Sequence, residues 1–122
     1  MRPSVLVTKH LYPQALDRIA NALEVDYHDE RTSMAPQALQ ARLQGKRGVI
    51  CQLTDKITPA LLDACPDLEV VSNVAVGYDN IDVAAATERG VVVTNTPGVL
   101  THTTADLAFA LILAAGRRLT ES

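Results

Sequence analysis

Short apolar runs alternate with segments of helical period along the whole chain, and that alternation is what most restricts the fold. Ser4-Val-Leu-Val-Thr8 is a β-rich run apolar on both faces. Pro13 follows at a first helical position, and Leu16, Ile19, Ala20 and Leu23 repeat at helical spacing. Glu24-Val-Asp-Tyr-His28 alternates polar and apolar, as a half-exposed edge strand does. Pro36 opens a second helix with Leu39 and Leu43 on one face and Gly45 past its end. Gly48 to Leu53 is a buried strand by its apolar centre. Thr58-Pro59 supplies a cap and an N1 proline for a third helix that Pro66 ends. Leu68 to Val74 is the fourth strand-like run. Asp79 or Asn80 is expected to cap the next helix, with Asp82 in its first turn and Gly90 past its end. Val91 to Asn95 is the fifth strand, and the last helix starts near Thr101 or Thr103, where Thr103-x-x-Asp106 fits a cap pattern.

Five strands alternating with helices predict an α/β fold: a doubly wound parallel sheet covered on both faces. An edge-like second strand and central third and fourth strands give the flavodoxin-like order 2-1-3-4-5. With 122 residues, 48% of them hydrophobic and only 3% aromatic, the core must be aliphatic and alanine-rich. A net charge of −3 with scattered Lys and Arg argues against a nucleic-acid or anionic-membrane surface. The chain passes from Met-Arg-Pro-Ser straight into a strand with no signal-peptide-like apolar region, which predicts a cytoplasmic protein. Its longest apolar run, from Leu107, is too short to span a bilayer. Cys51 and Cys65 lack redox or metal spacing and read as small buried hydrophobes.

In an open parallel sheet, ligands bind beyond the carboxyl ends of the strands. Lys9-His10, Leu53-Thr54-Asp55 and Val74 to Tyr78 should therefore meet at one end. The run Asn73-Val-Ala-Val-Gly77-Tyr-Asp-Asn-Ile-Asp82 reads as a strand opening into a glycine-centred loop that leads to a helix N-terminus, an arrangement suited to a small anion. An ordinary left-handed turn at Gly77 fits the local pattern equally well. His10 has no carboxylate placed in sequence to orient it, His28 is expected to be exposed on the edge strand, and His102 to bond locally in a cap region. Thr101, Thr103 and Thr104 could cap the last helix, or one could offer its hydroxyl to a ligand. No metal site or catalytic group is assigned.

From Leu107 to Ala115 the last helix has no polar residue, so it must be buried on every side. One sheet face covers only one side of a helix, which points to a further domain or subunit.

Three segments resemble the N-terminal part of the D-isomer-specific 2-hydroxyacid dehydrogenases, with the glyoxylate/hydroxypyruvate reductases as the nearest subgroup. They are Gly48 to Leu62, Asn73 to Asp82, and Thr94-Asn-Thr-Pro-Gly-Val-Leu-Thr-His-Thr-Thr-Ala-Asp106, which runs on through Leu113 to Arg117-Arg118. The resemblance implies a flavodoxin-like substrate-binding domain at 1–98 and an interdomain and dimerisation helix at 99–122. In the family a C-terminal segment returns to complete that domain. The Rossmann NAD(P) domain, with the catalytic Arg, Glu and His, is expected to be absent here, since the six glycines never form G-x-G.

By the same resemblance, the backbone at Val76 and Gly77 holds the substrate carboxylate and Leu53 lines the pocket. Val76 and Thr104 approach the nicotinamide of NADPH or NADH. The implied reaction reduces a small 2-oxo acid to the D-2-hydroxy acid. The isolated chain is expected to be inactive and to form a homodimer through its last helix. A free-standing flavodoxin-like binding or signalling module is the alternative. It fits less well, because Gln52-Leu53 and Asn95-Thr96 stand where a phospho-acceptor domain wants Asp and Lys, and Lys9 to Pro13 lacks a flavin phosphate loop.

Overall fold

The computed structural model describes residues 2–98 and 101–117, without the side chains of 101–104 and 114–117. Five strands alternate with five helices: β1 (Ser4–Val7), α1 (Pro13–Ala20), β2 (Glu24–Tyr27), α2 (Pro36–Leu43), β3 (Gly48–Cys51), α3 (Pro59–Ala64), β4 (Val70–Asn73), α4 (Val83–Glu88), β5 (Val92–Thr94) and α5 (Thr101–Arg117). All strand pairs are parallel and the order is β2-β1-β3-β4-β5, as the sequence predicts. The strands are shorter at their ends than the apolar runs that encode them.

Prolines occupy the first turns of α1, α2 and α3, where the lost N–H has no helical partner in any case. Thr58 caps α3, its hydroxyl oxygen accepting from the Leu61 N–H at 3.1 Å. Gly45 and Gly90 lie just past α2 and α4 with φ of 77° and 70°, the left-handed exit that a side chain would strain. The expected cap of α4 needs correction. Asp82, not Asp79 or Asn80, is the N-cap and accepts from the Ala85 N–H at 2.9 Å, while Asn80 is buried elsewhere. Thr103 lies inside α5, not at its cap, and Arg118 falls outside the described residues.

Pleating divides the sheet into two unlike faces. Leu6, Val49, Val71 and Val93 stand in register on one face and pack beneath Leu39 and Leu43 of α2, Leu61 and Leu62 of α3, and Ala85 and Ala86 of α4. Right-handed crossovers running β2 to β3 to β4 to β5 put these three helices on that side, and the reversed step from β1 to β2 puts α1 on the other. The second face carries Val5, Gly48, Val70 and Val92 in register. It is not covered as the sequence reading expects: α1 has no buried residue, and Val70 and Val92 are 39% and 57% exposed. A largely apolar groove of about 340 Å³ runs there between Val5, Leu23, Gly48 and Val70. In α5, the side chains of residues 105–113 are all exposed.

Packing is thus one-sided, and truncations should report it. Leu43→Ala removes a fully buried side chain from the helix-covered face and is expected to cost about 2–5 kcal/mol. Leu16→Ala, at a half-buried position of the mostly exposed α1, should cost well under half of that. Urea denaturation of both variants checks the contrast, and equal losses would contradict it.

Candidate functional site

The carboxyl ends of β1, β3 and β4 are joined by a buried polar cluster absent from the sequence reading. Thr8, Asp55, Asn73 and Asn80 are each at least 94% buried. The Thr8 hydroxyl donates to Asp55 Oδ2 at 2.5 Å, and the Gln52 N–H donates to the same oxygen at 2.9 Å. Asn80 Nδ2 donates to the carbonyls of Gln52 at 3.1 Å and Asp55 at 2.9 Å. Asn73 Nδ2 bonds Asn80 Oδ1 at 3.1 Å and the Gly77 carbonyl at 2.9 Å. An isolated bridge between Ile57 and Ile81 stitches the loop after β3 to the loop after β4. Asp55 Oδ1 is the one buried side-chain atom among the described residues without a partner.

These bonds fix the backbone of the glycine loop. Asn73 draws the Gly77 carbonyl inward, and Asn95 Nδ2 holds the Val76 carbonyl at 2.8 Å. The N–H groups of Val76, Gly77 and Tyr78 have no hydrogen-bond partner among the described residues. With the carbonyls pinned, three exposed donors remain at one turn. Gly77 is not in the left-handed region, and a Cβ built on it meets nothing within 4 Å, so the chain's own packing does not require glycine there. Both sequence-level explanations of this loop change accordingly. It is not a left-handed turn, and the N-terminus of α4 is already capped by Asp82.

Leu53 sits at the tip of the turn that Asp55 closes and is 54% exposed; Val76 is 37% exposed. The polar cluster thus brings Leu53, Val76 and Gly77 to one end of the sheet. Thr104 belongs to α5, but its side chain lies outside the described residues, as does that of His102.

Two histidine expectations are overturned. His10 is oriented after all: Asp29 Oδ1 lies 2.8 Å from its Nδ1, and the Tyr27 hydroxyl, 3.2 Å from Nδ1, donates to Asp29 at 2.9 Å. The hydrogen bonds from His10 and then Tyr27 hold the Asp29 carboxyl below its ordinary range, and desolvation first, with Asp29 beside it, raises the Tyr27 phenol. Only the chain's return along β2 makes that neighbourhood. His28 is half-buried, its Nδ1 2.8 Å from Arg42 Nη1. Cys51 matches its inert reading: burial, then the nearby Asp55 charge, push its thiol up to about 12. No group of three or more metal-ligating side chains occurs among the described residues.

The model of the D-isomer specific 2-hydroxyacid dehydrogenase catalytic domain matches residues 5–118. The chain belongs to the D-isomer specific 2-hydroxyacid dehydrogenase family. The glyoxylate reductase of Korarchaeum cryptofilum is 43% identical over all 122 residues, which are 37% of that protein. A crystal structure of a Thermus thermophilus protein superposes with a TM-score of 0.84 at 44% identity, covering 97% of this chain and 38% of that one. The NADPH-dependent glyoxylate/hydroxypyruvate reductase of Sinorhizobium meliloti, in complex with NADP and malonate, is 37% identical with a TM-score of 0.73, over 93% of this chain and 34% of its own. The chain therefore spans little more than a third of the length of these dehydrogenase relatives. No described helix is long and apolar enough to cross a membrane.

The polar cluster carries a prediction of its own. Asn80→Ala removes the side-chain donor to the buried Asp55 carbonyl, one of two donors to the Gln52 carbonyl and an acceptor of the Asn73 amide, and should destabilise the fold by about 2–4 kcal/mol. Thermal or urea unfolding that leaves stability within about 0.5 kcal/mol would show the cluster to be incidental.

Proposed function

We propose that this chain is the substrate-binding part of an NAD(P)H-dependent oxidoreductase that reduces a small 2-oxo acid of the glyoxylate or hydroxypyruvate class to the D-2-hydroxy acid. One observation carries the reading: the N–H groups of Val76, Gly77 and Tyr78 have no partner among the described residues, on an exposed loop whose Gly77 and Val76 carbonyls are taken by Asn73 and Asn95. Donors fixed in this way bind a carboxylate without reorganising, and the open space over Gly77 lets it reach the backbone. The dehydrogenase relatives support the substrate class. The Sinorhizobium meliloti reductase, in its complex with malonate, adds that a relative takes a small carboxylate.

In this reading Leu53 forms the apolar wall of the pocket, while Val76 and Thr104 border the nicotinamide. No described residue forms a dinucleotide cradle, so the cofactor is held by sequence beyond this chain. When bound it supplies the hydride for the 2-oxo carbon. The chain's own residues hold and orient the acid, and the proton for the carbonyl oxygen is assigned to a residue outside them. Residues 1–98 act as the substrate-binding unit, and the exposed Val70 and Val92 end of the second face receives a returning C-terminal segment of the longer protein. The 99–122 segment serves as the interdomain and dimer helix.

Gly77→Ala separates loop function from folding. The fold tolerates a methyl there, so stability should stay within about 0.5 kcal/mol, yet the methyl stands where the carboxylate must approach. Oxalate, titrated into the ¹⁵N-labelled chain, should shift the Val76–Tyr78 amides saturably in the parent and at least about tenfold more weakly in the variant. Equal binding by both, or none by the parent, removes the carboxylate site. The purified chain should not turn over glyoxylate with NADPH.

The exposed face of α5 yields a second expectation. Burying one side of it, Phe109, Ile112 and Leu113 of both copies, recovers roughly 1.5–3 kcal/mol per side chain, enough to offset the loss of free tumbling on pairing. Sedimentation should show a dimer at micromolar concentration, converted to monomer by Ile112→Glu with Phe109→Glu. A parent chain that sediments as a monomer would contradict the pairing.

A further inference from the structure

A second concavity lies at the same end of the sheet, on the side of β1. Two confluent depressions of about 210 Å³ and about 300 Å³ share His10, Arg31 and Gln52 as lining. Lys9 completes the first, and Tyr12 and Val74 wall the second. Val74 precedes Val76 by two residues and Gln52 precedes Leu53 by one, so these depressions adjoin the loop assigned to the substrate carboxylate.

Their chemistry is cationic and pre-oriented. Arg42, Arg47 and Arg89 each reach a carboxylate, whereas Lys9 and Arg31 have no ion pair among the described residues. Asp29, the acid that meets His10, already accepts from the imidazole Nδ1 and the Tyr27 hydroxyl. Those bonds lock the imidazole and leave Nε2 as its unpartnered nitrogen. The Leu11 N–H donates to the Tyr27 hydroxyl at 3.0 Å, and the Gln52 side-chain amide reaches the His10 carbonyl at 3.5 Å, so the rim is tied to both β2 and β3. Lys9, Arg31 and the Gln52 amide, set beside an imidazole whose Nδ1 is held by Asp29, make a set of donors for carboxylate or phosphate oxygens.

We infer that Lys9, His10, Arg31 and Gln52 form a subsite for a second anionic group, a carboxylate or phosphate at the far end of the substrate, so that the enzyme favours a dianionic 2-oxo acid over glyoxylate. The inference rests on the reading of Val76 and Gly77 as the site of the first carboxylate. A short acid held there extends over Val74 and Gln52 into the cationic depression. The far-end anion then fixes which way the 2-oxo group faces, a choice that glyoxylate, with no far-end substituent, leaves open.

The test uses the labelled 122-residue chain with three separate probes: oxalate, inorganic phosphate and acetate. Oxalate should move the Val76–Tyr78 amides, and that response is the readout of the first carboxylate site whatever it does at the cationic depression. Phosphate or acetate should saturably move the backbone amides of Lys9 to Leu11, Arg31 and Gln52, and the tighter of the two names the far-end group. The double variant Lys9→Gln, Arg31→Gln, both outside the core, should weaken that second response at least about tenfold and leave the oxalate response unchanged. Saturable binding of neither probe at these residues overturns the subsite, as does equal binding by the double variant. Loss of the oxalate response alone would overturn the Val76–Gly77 reading and leave the cationic subsite standing.

Discussion

The structure depends on a clamp of buried amides and one carboxyl at the carboxyl end of the sheet. A parallel sheet leaves its strand ends with unpaired carbonyls and abrupt turns, and water cannot satisfy those that packing covers. Here Asn80 serves two carbonyls of the β3 turn, Asn73 serves Asn80 and the Gly77 carbonyl, and Asp55 ties its own turn to Thr8 on β1. Three loops that differ by up to 72 residues in sequence (Thr8 to Asn80) are thereby held as one surface. Leu53, Val76 and Gly77 owe their common location to these bonds.

The strand order and helix starts were legible because each rests on local chemistry. An N1 proline, a threonine cap or a glycine past a helix end acts over three or four residues, and so does the difference between the polar-apolar β2 and the apolar β3. What escaped is long-range. Asn80 has the composition of a cap, and only the fold shows it turned inward while Asp82 takes the helix. Asp29 lies 19 residues from His10, and only the return of the chain along β2 makes them neighbours. The Val76–Gly77 loop was found from its glycine. Its distinguishing property, carbonyls tied back by Asn73 and Asn95, has no signature in the loop's own sequence.

The two faces of the sheet are encoded by the same kind of residue and end in different environments. Leu6, Val49 and Val71 are covered completely, while Val70, one position before Val71 on β4, and Val92 beside it on β5 stand open. Hydrophobic patterning specifies that a side chain must be covered but not by what. The apolar α5 makes the same point, since residues 105–113 find no cover within the described chain. An apolar surface of this extent is in keeping with the proposed interdomain and dimer contacts. Its two parts, one on the sheet and one on a helix, fit a unit that meets the rest of a longer protein on more than one side.

In the proposed reading that division also accounts for the chemistry. Hydride transfer needs a donor, an acid and a fixed acceptor, and the first two impose strict demands on side chains, while the third can be met by backbone alone. A chain that contributes the acceptor's seat needs rigidity more than reactivity. Its polar residues are accordingly spent inside, holding carbonyls away from the site, and its surface there is left to N–H groups and apolar walls. Glycine at position 77 is consistent with the proposed role: neither φ nor neighbouring atoms require it, which leaves the space over its backbone open. A ligand carboxylate in contact with the backbone needs that space, which a Cβ would fill.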